Sequence, residues 1–439
     1  MSNEDNRISE AGDFVVEDLV ILTSTGYEIP VAPAAIVINE DTNLSTISGK
    51  LLFSDGVGLS GVAPIIGQER LRLKIRTPSF DGRDVIINYS DDPLTLRSVV
   101  QKEYFDNGVE AVSVNFVTND FIKNMRTKLK KKVEGSYSDI VKKILKQEIK
   151  TKKRDDQIFI SETAGNKKVV IPDMRPFDFI QDIAMKDSIS KATGAPGYVF
   201  FETFRGYVFK SFSDIFAEEP VTKFDPAISI EELVIRTGPG TGTHDIIKGF
   251  QFVTDFEISQ GNDMVVNHAS GVYGSKLLEY DILNKEYKEH NFDYFESFKS
   301  EEHLDQFPVF SKTKNEDNKK ISEYPVRTFL HHKEKEPATW LQKSFSQRIQ
   351  MEQGLVTNVL VRGNTSVSAG DVIEFDIPLP AALERDDTFV GAEDGLDPLY
   401  KGKFFVKRIE HTFDLTDSPK HSMLMTLIKD GSATNIEIM

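Results

Sequence analysis

The sequence predicts an α+β fold in which β-structure dominates, because its hydrophobic periodicity changes along the chain. Leu71, Leu73 and Ile75 alternate with Arg and Lys in a period of two, which is typical of a strand that is buried on one face. Residues 136–149 instead repeat with the period of a helix, and short β-rich runs return after residue 372. The chain therefore has two similar β-rich outer parts around a segment that contains helices.

The first outer part contains several short apolar runs besides the alternating one at 70–76. Gly, Asp, Asn and Ser between the runs favour turns. The additional predicted strands are Phe14–Leu22, Ala35–Ile38, Ile47–Phe53, Val85–Tyr89 and Val112–Phe116. Several strands of this length and spacing indicate a small barrel or sandwich.

Two helices and a hairpin are predicted in the middle of the chain. The first helix covers Ser136–Ile149, and its Ser136 and Asp139 have the spacing of a capping box. The second helix begins near Pro176, a favoured first-turn residue, and ends before the Gly-Pro segment Gly194–Gly197. A hairpin follows over Tyr198–Lys210, with a glycine in its turn.

The remainder is predicted to be mixed and then β-rich again. Residues 213–330 contain β-like runs and a polar segment, Lys312–Lys320, that is typical of an exposed loop. A third helix is predicted from Pro337, with Trp340, Leu341, Phe345 and Ile349 on its apolar face. The last predicted strands are Val372–Ile377, Phe404–Ile409 and Met423–Ile428.

Composition excludes several kinds of site and compartment. The chain has no cysteine, which rules out disulfides, Cys–zinc sites, iron–sulfur clusters and thiol nucleophiles. Its apolar runs are too short to cross a membrane, and the polar, acidic start lacks the pattern of a signal peptide. We therefore expect a protein that is made and kept in the cytosol.

Charge is distributed unevenly along the chain. The formal net charge of −16 argues against broad contact with nucleic acid. Residues 123–154 are the exception, because thirteen Lys/Arg against three Asp/Glu give a local charge of +10 and leave about −26 for the rest. Such a run is typical of a solvated helix face, or else of a docking surface for an acidic neighbour.

No sequence motif carries recognisable chemistry. The Gly-rich stretch Gly238–Gly242 lacks the Lys-Ser/Thr of a phosphate-binding loop. His331 and His332 adjoin, but adjacent side chains diverge and chelate poorly, and the chain has no HExxH motif. A G-x-S-x-G elbow is also absent. We therefore predict no catalytic, cofactor-binding or metal-binding residue.

A series of short segments, in a fixed order over roughly residues 12–430, has a recognisable pattern. The segments are Pro64–Pro78, Val112–Asn119, Ser136–Leu145, Arg175–Ile180, Gly197–Glu202, Gly271–Ser275 with Tyr280 and Asp281, Trp340–Ser344, Gly363–Thr365, Gly370–Pro378, Tyr400–His411 and Lys429–Asp430. Together they resemble the central hub proteins of contractile (myovirus) phage tail baseplates, which are related to the hub part of type VI secretion spike proteins.

The resemblance implies a domain organisation and an assembly. Residues 1–118 would form a first β-barrel ring domain, 119–215 a helix-and-hairpin insertion, 216–335 a mixed α+β segment, and 336–439 the rest of a second barrel. Such hubs are homotrimers in which each subunit supplies two tube-like domains, so that the trimer forms a pseudo-hexameric ring. The insertion is expected to lie off the ring with Lys128–Lys132 exposed.

The resemblance also implies partners and a place of action. The ring would connect the hexameric tail tube to a trimeric central spike, with the tape measure protein and the baseplate wedge as further neighbours. Secretion-type relatives continue into a spike domain, so we expect the spike here to be a separate chain. The protein would belong to the baseplate of the virion tail, be assembled in the cytoplasm of the bacterial host, and contact DNA only in transit.

Two other classes remain as alternatives to a non-enzymatic hub. A tail-associated cell-wall hydrolase would need two carboxyl groups roughly 5–9 Å apart across a cleft. A carbohydrate-binding tail module would need exposed aromatic side chains in loops, whereas most Phe here lie in core-like patterns. For a hub, a channel that passes DNA requires an acidic lining, so the cations of Arg70–Arg76 are expected to point away from the bore.

Overall fold

A computed structural model gives the fold of the chain. The residues that it describes are 11–24, 26–56, 58, 64–77, 85–105, 108–226, 251–312, 319–332, 339–378, 396–416 and 418–435. They form many strands and few helices, so the predicted, mainly β, α+β class is confirmed. Within these ranges, no helix has both the length and the apolar character needed to span a bilayer.

The described residues of the first third of the chain form eight strands. They are β1 (Val15–Leu22), β2 (Glu28–Pro30), β3 (Ala32–Asp41), β4 (Ser48–Asp55), β5 (Arg70–Thr77), β6 (Val85–Asn88), β7 (Leu94–Tyr104) and β8 (Glu110–Val117). Antiparallel pairing places seven of them in the order β2-β1-β5-β7-β8-β4-β3, and β6 pairs with β5.

All six runs predicted in this third are strands. Leu71, Leu73 and Ile75 of β5 are fully buried, as the alternation predicted. The prediction missed β2 and β7. Strand β7 escapes a period-two search because its register with β8 shifts after Leu96 and again after Val99, and each shift turns the following side chains to the other face.

The middle of the chain combines helices with small sheets. Its elements are α1 (Asn119–Arg126), β9 (Leu129–Gly135), α2 (Tyr137–Lys143) with a π-helical turn at Ile144–Ile149, a 3₁₀ turn at Asp155–Gln157, β10 (Ile158–Ile160), β11 (Lys167–Met174), α3 (Pro176–Lys186), β12 (Tyr198–Thr203), β13 (Gly206–Ser211) and α4 (Phe212–Phe216). Strands β9 and β11 form an antiparallel pair, and β10 lies parallel to β13 beside the β12–β13 hairpin.

The predicted helices and hairpin of this part are present. Ser136 caps α2 by accepting a hydrogen bond from the backbone N–H of Asp139 at 3.2 Å. Helix α3 starts at Pro176, and it packs Phe179, Ile180 and Ile183 against the aromatic side chains of the hairpin. One feature was interpreted incorrectly. Lys130–Lys132 lie on strand β9 and not on a helix face, because β11 supplies a ladder for this segment while Leu129 at its start is buried in the core.

The last part carries eleven strands and three helices in the described residues. They are β14 (Lys223–Pro226), β15 (Phe252–Gln260), α5 (Met264–Ser270), β16 (Gly274–Asp281), β17 (Glu286–Asp293), α6 (Tyr294–Ser297), β18 (Phe307–Pro308), β19 (Arg327–His332), α7 (Trp340–Gln353), β20 (Leu355–Arg362), β21 (Val372–Phe375), β22 (Lys403–Asp414), β23 (Lys420–Lys429) and β24 (Gly431–Ser432), with 3₁₀ turns at Ser300–Glu302 and Ile321–Glu323.

The three predicted C-terminal strands correspond to β21, β22 and β23, and the predicted helix corresponds to α7. Leu341 and Phe345 of α7 pack with Trp340 against Leu277 and Phe329, as the apolar stripe predicted. Three predicted features lie wholly or partly outside the described residues. They are the Gly-rich stretch 238–242, the helix start at 337 and residues 313–318 of the polar segment.

One large sheet connects the two β-rich ends of the chain. Strand β22 pairs with β3 from Arg408↔Asp41 to Asp414↔Ala35, and it also pairs with β21 and β23. The resulting order after β3 is β22-β21-β14-β15-β20-β23. The N-terminal and C-terminal thirds therefore share one hydrogen-bonded framework. The small sheets β17-β16-β19 and β18-β24 lie beside it.

Candidate functional site

No residue cluster with evident catalytic or metal-binding geometry occurs in the part of the chain that the structure describes. That part contains no group of three or more His, Asp or Glu side chains that could hold a metal ion. His331 and His332 lie next to each other on strand β19, where side chains alternate between faces. Ionisable side chains instead gather where the β12–β13 hairpin meets the two β-rich ends.

The Glu202 carboxylate, near the end of β12, is fully buried and has partners on three other segments. Lys153 Nζ lies 2.8 Å from Glu202 Oε1, and the Thr118 hydroxyl donates to Oε2 at 2.8 Å. The backbone N–H of Ile47 also donates to Oε2, at 3.3 Å. Burial by itself would lower the pKa of Lys153, but the adjacent Glu202 raises it above its usual value, so the lysine remains charged. The hydrogen bonds from Thr118 and Ile47 tie the hairpin to the first β-rich part, and the ion pair ties it to the segment at Lys153.

A cavity of about 580 Å³ opens beside the Glu202–Lys153 pair. Its size falls within the roughly 300–1,000 Å³ of small-molecule sites, and Asp91, Asp92 and Asp120 line it together with Glu202. Asp120 is already engaged, because it pairs with Lys123 at 2.8 Å and accepts a hydrogen bond from the Tyr207 hydroxyl at 3.2 Å. The two buried carboxylates of this cavity therefore hold protein groups in place.

Glu40, on strand β3, links the turn of the β12–β13 hairpin to both β-rich ends of the chain. The Glu40 carboxylate accepts a hydrogen bond from the backbone N–H of Phe204 at 2.7 Å and one from the backbone N–H of Ala369 at 2.8 Å. Burial raises the pKa of Glu40 to about 7 despite these two hydrogen bonds. Next to it, the guanidinium of Arg205 makes two 2.8 Å contacts with the carboxylate of Asp371, a bidentate arrangement.

A buried histidine pair lies at the same junction. His411 Nδ1 is 3.1 Å from His421 Nε2, and the His421 ring stacks on Phe413 with a centroid distance of 4.1 Å. The ring of Phe204 approaches His411 from the hairpin side, with a centroid distance of 4.9 Å. Burial lowers the pKa of His411 to about 3 and also lowers the pKa of His421 well below its usual value. Both rings are therefore uncharged. The pair fills space between the hairpin and the large sheet.

Helix α7 forms a second junction through its polar face. Gln342 donates to the carbonyl of Ser275 at 3.0 Å, and Ser346 donates to that of Val272 at 2.9 Å. On the side of the insertion, Trp340 Nε1 donates to the carbonyl of Lys186 at 3.0 Å, and Ser344 donates to that of Met185 at 3.0 Å. The helix thus joins the end of α3 to the start of β16.

Acidic side chains of the same chain form ion pairs with most of the cations of β5. Arg72 pairs with Asp18 at 2.5 Å and with Glu28 at 3.1 Å. Glu17 pairs with Lys74 at 2.7 Å and with Arg76 at 3.0 Å. Arg70, at the end of the strand, is exposed. Strand β1, which lies beside β5, therefore supplies Glu17 and Asp18, and β2 supplies Glu28, as acidic partners that the sequence pattern did not specify.

The basic segment is exposed where the sequence predicted exposure. Lys128 and Lys130–Lys132 are all exposed, and Leu129 between them is buried. Lys128 pairs with Asp173 at 3.3 Å, and Lys131 pairs with Glu148.

Phenylalanine follows the predicted core pattern as well, because Phe105 is the one strongly exposed phenylalanine among the described residues.

The junction residues were missed by the sequence analysis, although a signal for them exists. Glu40 is in phase with Ile36 and Ile38 on the buried face of β3, and His411 is in phase with Ile409 on that of β22. An ionisable residue that interrupts the apolar face of a strand must find a buried partner. That pattern could have identified Glu40 and His411, but not the partners that they contact.

Comparison with known proteins adds a relationship at the level of the fold. No model of a known protein family matches the sequence, and no curated protein matches it. Among solved structures, the tail protein from Neisseria meningitidis MC58 matches with a TM-score of 0.51 and 12% identity over 94% of this chain and 96% of that chain. The 43 kDa tail protein of prophage MuSo2 from Shewanella oneidensis matches with a TM-score of 0.51 and 9% identity over 94% and 98%.

The chain shares the fold of these two tail proteins. The c3393 protein of E. coli, a component of the type VI secretion system, is a further match, with a TM-score of 0.40 and 7% identity over 95% of this chain and 76% of that chain. The resemblance to tail proteins that the sequence indicated is therefore confirmed for the fold, over nearly the whole chain.

Proposed function

We propose that this protein is the baseplate hub subunit of a contractile phage tail, which connects the tail tube to a separate central spike. One observation carries the proposal. The tail-protein fold extends over 94% of this chain and over 96% and 98% of the two tail proteins, so the likeness is not confined to one shared domain. The role is structural and non-enzymatic, and its place is the baseplate of the virion tail after assembly in the host cytoplasm.

The domain organisation of the proposal follows the sequence boundaries. Residues 1–118 and 336–439 form the two tube-like domains, 119–215 the insertion, and 216–335 a mixed α+β segment that contributes to the second tube-like domain and to the insertion. An apolar core and a set of strand pairings support two barrel-like units. The first eight strands surround their own apolar core, and β23 pairs with both β20 and β22, so that the strand path of the second unit returns to β22.

The assembly is a homotrimer in which six tube-like domains surround a channel. The pairing of β3 with β22 supports this, because it fixes the two units of one subunit side by side in one sheet. The junction at Glu40, Arg205 and Asp371 stiffens the same contact. A rigid pair of similar units, repeated three times around an axis, matches a six-fold tube.

DNA passes through the channel without being retained. Phosphate contacts to exposed cations would slow its passage, since they bind any sequence. The ion pairs that Asp18, Glu17 and Glu28 make with the cations of β5 support a channel of low affinity for DNA, because they neutralise the most basic strand of the first unit. The tail tube, the spike, the tape measure protein and the baseplate wedge are the proposed neighbours.

Electron microscopy of the purified protein, alone and with the spike protein of the same phage, tests this function. The proposal predicts rings with a central opening and six similar densities around it, three of which carry an outward projection for the insertion. Compact particles without an opening, in both samples, would exclude a tube-continuing hub.

A further inference from the structure

The hairpin formed by β16 and β17 ends in an exposed apolar tip. Ile282 is 73% exposed and Leu283 is 91% exposed. The tip is nevertheless ordered by Asp281, whose carboxylate accepts hydrogen bonds from the backbone N–H of Leu283 at 3.1 Å and of Asn284 at 3.0 Å. A Leu that is held outward on a fixed turn is a preformed anchor for a partner surface.

The hairpin that carries this tip is acidic. Its residues, 274–293, contain five Asp/Glu against three Lys. Glu286 and Glu289 on β17 are exposed, whereas Glu279 is buried against His290 at 3.0 Å. A partner that accepts Leu283 must therefore combine an apolar pocket with a basic rim.

A groove with these properties lies in the insertion, between β9 and the helix formed by α2 and its π-helical turn. Val133, Ile140 and Ile144 provide its apolar floor, and its rim carries three lysines, Lys131, Lys132 and Lys143, against one acid, Glu134. Its volume of about 180 Å³ is below the roughly 300 Å³ at which small-molecule sites begin, so it suits a protein side chain better than a small ligand.

We propose that the tip at Ile282 and Leu283 of one subunit docks into this groove of the neighbouring subunit. The inference rests on the trimer of the proposed function. It requires a second copy, because the exposure of Leu283 shows that the tip does not fill the groove of its own chain. Since tip and groove are different surfaces, the contact is head-to-tail, and three such contacts close a ring.

The sequence offers a direct test, because the chain has no native cysteine. The double variant Leu283→Cys/Lys132→Cys of the full-length chain is assembled with the spike protein, oxidised and analysed on a non-reducing gel. Covalent trimers are the expected main product. The matched control is Leu283→Cys/Leu44→Cys, because Leu44 is also an exposed apolar residue (44%) but lies outside the groove. The control pair should give no covalent trimer.

A second variant tests the energetics of the same contact. Leu283→Asp is expected to weaken subunit association about tenfold or more, since it replaces an apolar anchor by a charge. Leu44→Asp should leave association unchanged. Because both sites are exposed in the subunit, neither change is expected to prevent folding, which thermal unfolding verifies.

The outcomes separate this inference from the proposed function. Trimers that form by mass but cross-link no better than the control would overturn the docking contact and leave the hub function intact. A chain that stays monomeric with the spike protein present would overturn both. Binding of labelled duplex DNA that is lost on Lys132→Glu, without any cross-link, would assign the groove to nucleic acid and also overturn the proposal.

Discussion

The carboxylate of Glu40 accepts a 2.8 Å hydrogen bond from the backbone N–H of Ala369, across 329 positions of the chain. Its other oxygen accepts a hydrogen bond from Phe204 in the hairpin turn. One buried side chain on β3 thereby contacts the insertion and the C-terminal β-rich part together. A connector that keeps its units in fixed register needs junctions of this kind.

Glu40→Ala should destabilise the protein by about 2–4 kcal/mol, because it leaves two buried N–H donors without an acceptor. The free energy of unfolding from urea titration measures the loss. Glu257→Ala is a suitable control, since Glu257 is exposed on β15 and its replacement should change stability by less than about 0.5 kcal/mol. Equal effects of the two changes would contradict a junction role for Glu40.

The raised pKa of Glu40 also predicts an unusual pH dependence. In the folded protein the pKa of Glu40 is about 7, whereas in the unfolded chain it returns to the ordinary glutamate value of 4.5. Between these values the folded state binds more protons, so the contribution of Glu40 to stability decreases as the pH rises. Relative to Glu40→Gln, the wild-type protein should lose about 3 kcal/mol between pH 4.5 and 7 and little above that. A constant difference between the two proteins would contradict the shift.

Lys153→Ala should destabilise the protein by about 3–5 kcal/mol, because it leaves the fully buried Glu202 carboxylate without its counter-charge. The neighbouring Lys152→Ala is the matched control. Lys152 is 56% exposed and lies 4.0 Å from Asp92, so its removal should cost about 0–1 kcal/mol. Chemical denaturation of both variants measures the difference, and a small effect of Lys153→Ala would show that the pair does not hold the junction.

The purified protein should leave peptidoglycan intact, because the buried carboxylates of the 580 Å³ cavity are engaged by Lys153, Lys123 and Tyr207. Turbidity of a cell-wall suspension is the measurement. Clearing by the wild-type protein that disappears in a folded Glu202→Gln variant would make the cavity an active site and the protein a hydrolase.

Local patterns predicted the local elements of this fold. The alternation in β5 placed Leu71, Leu73 and Ile75 in the core, and Ser136 marked the start of α2. Both features depend on residues within a few positions of each other. For the same reason, Pro176 correctly marked the start of α3 and Gly206 the turn of the hairpin.

Long-range pairings could not be predicted in this way. Strand β9 has three lysines among its seven residues, and its ladder with β11, more than thirty residues later, makes it a strand. The partners of Glu40 and Glu202 lie on other segments, and period-two reasoning shows that an acid is buried without showing what it meets. The sequence resemblance indicated the tail-protein fold, but it carried no information on the junction residues.

The number of chains in the assembled particle tests the central claim most directly. Multi-angle light scattering of the protein with the spike protein of its phage measures that number. The account predicts three copies of this 49.5 kDa chain in each complex, about 149 kDa in addition to the spike, since a trimer supplies six tube-like units. A stable dimer, or a chain that remains monomeric at every concentration with the spike present, would contradict the assignment as a trimeric hub.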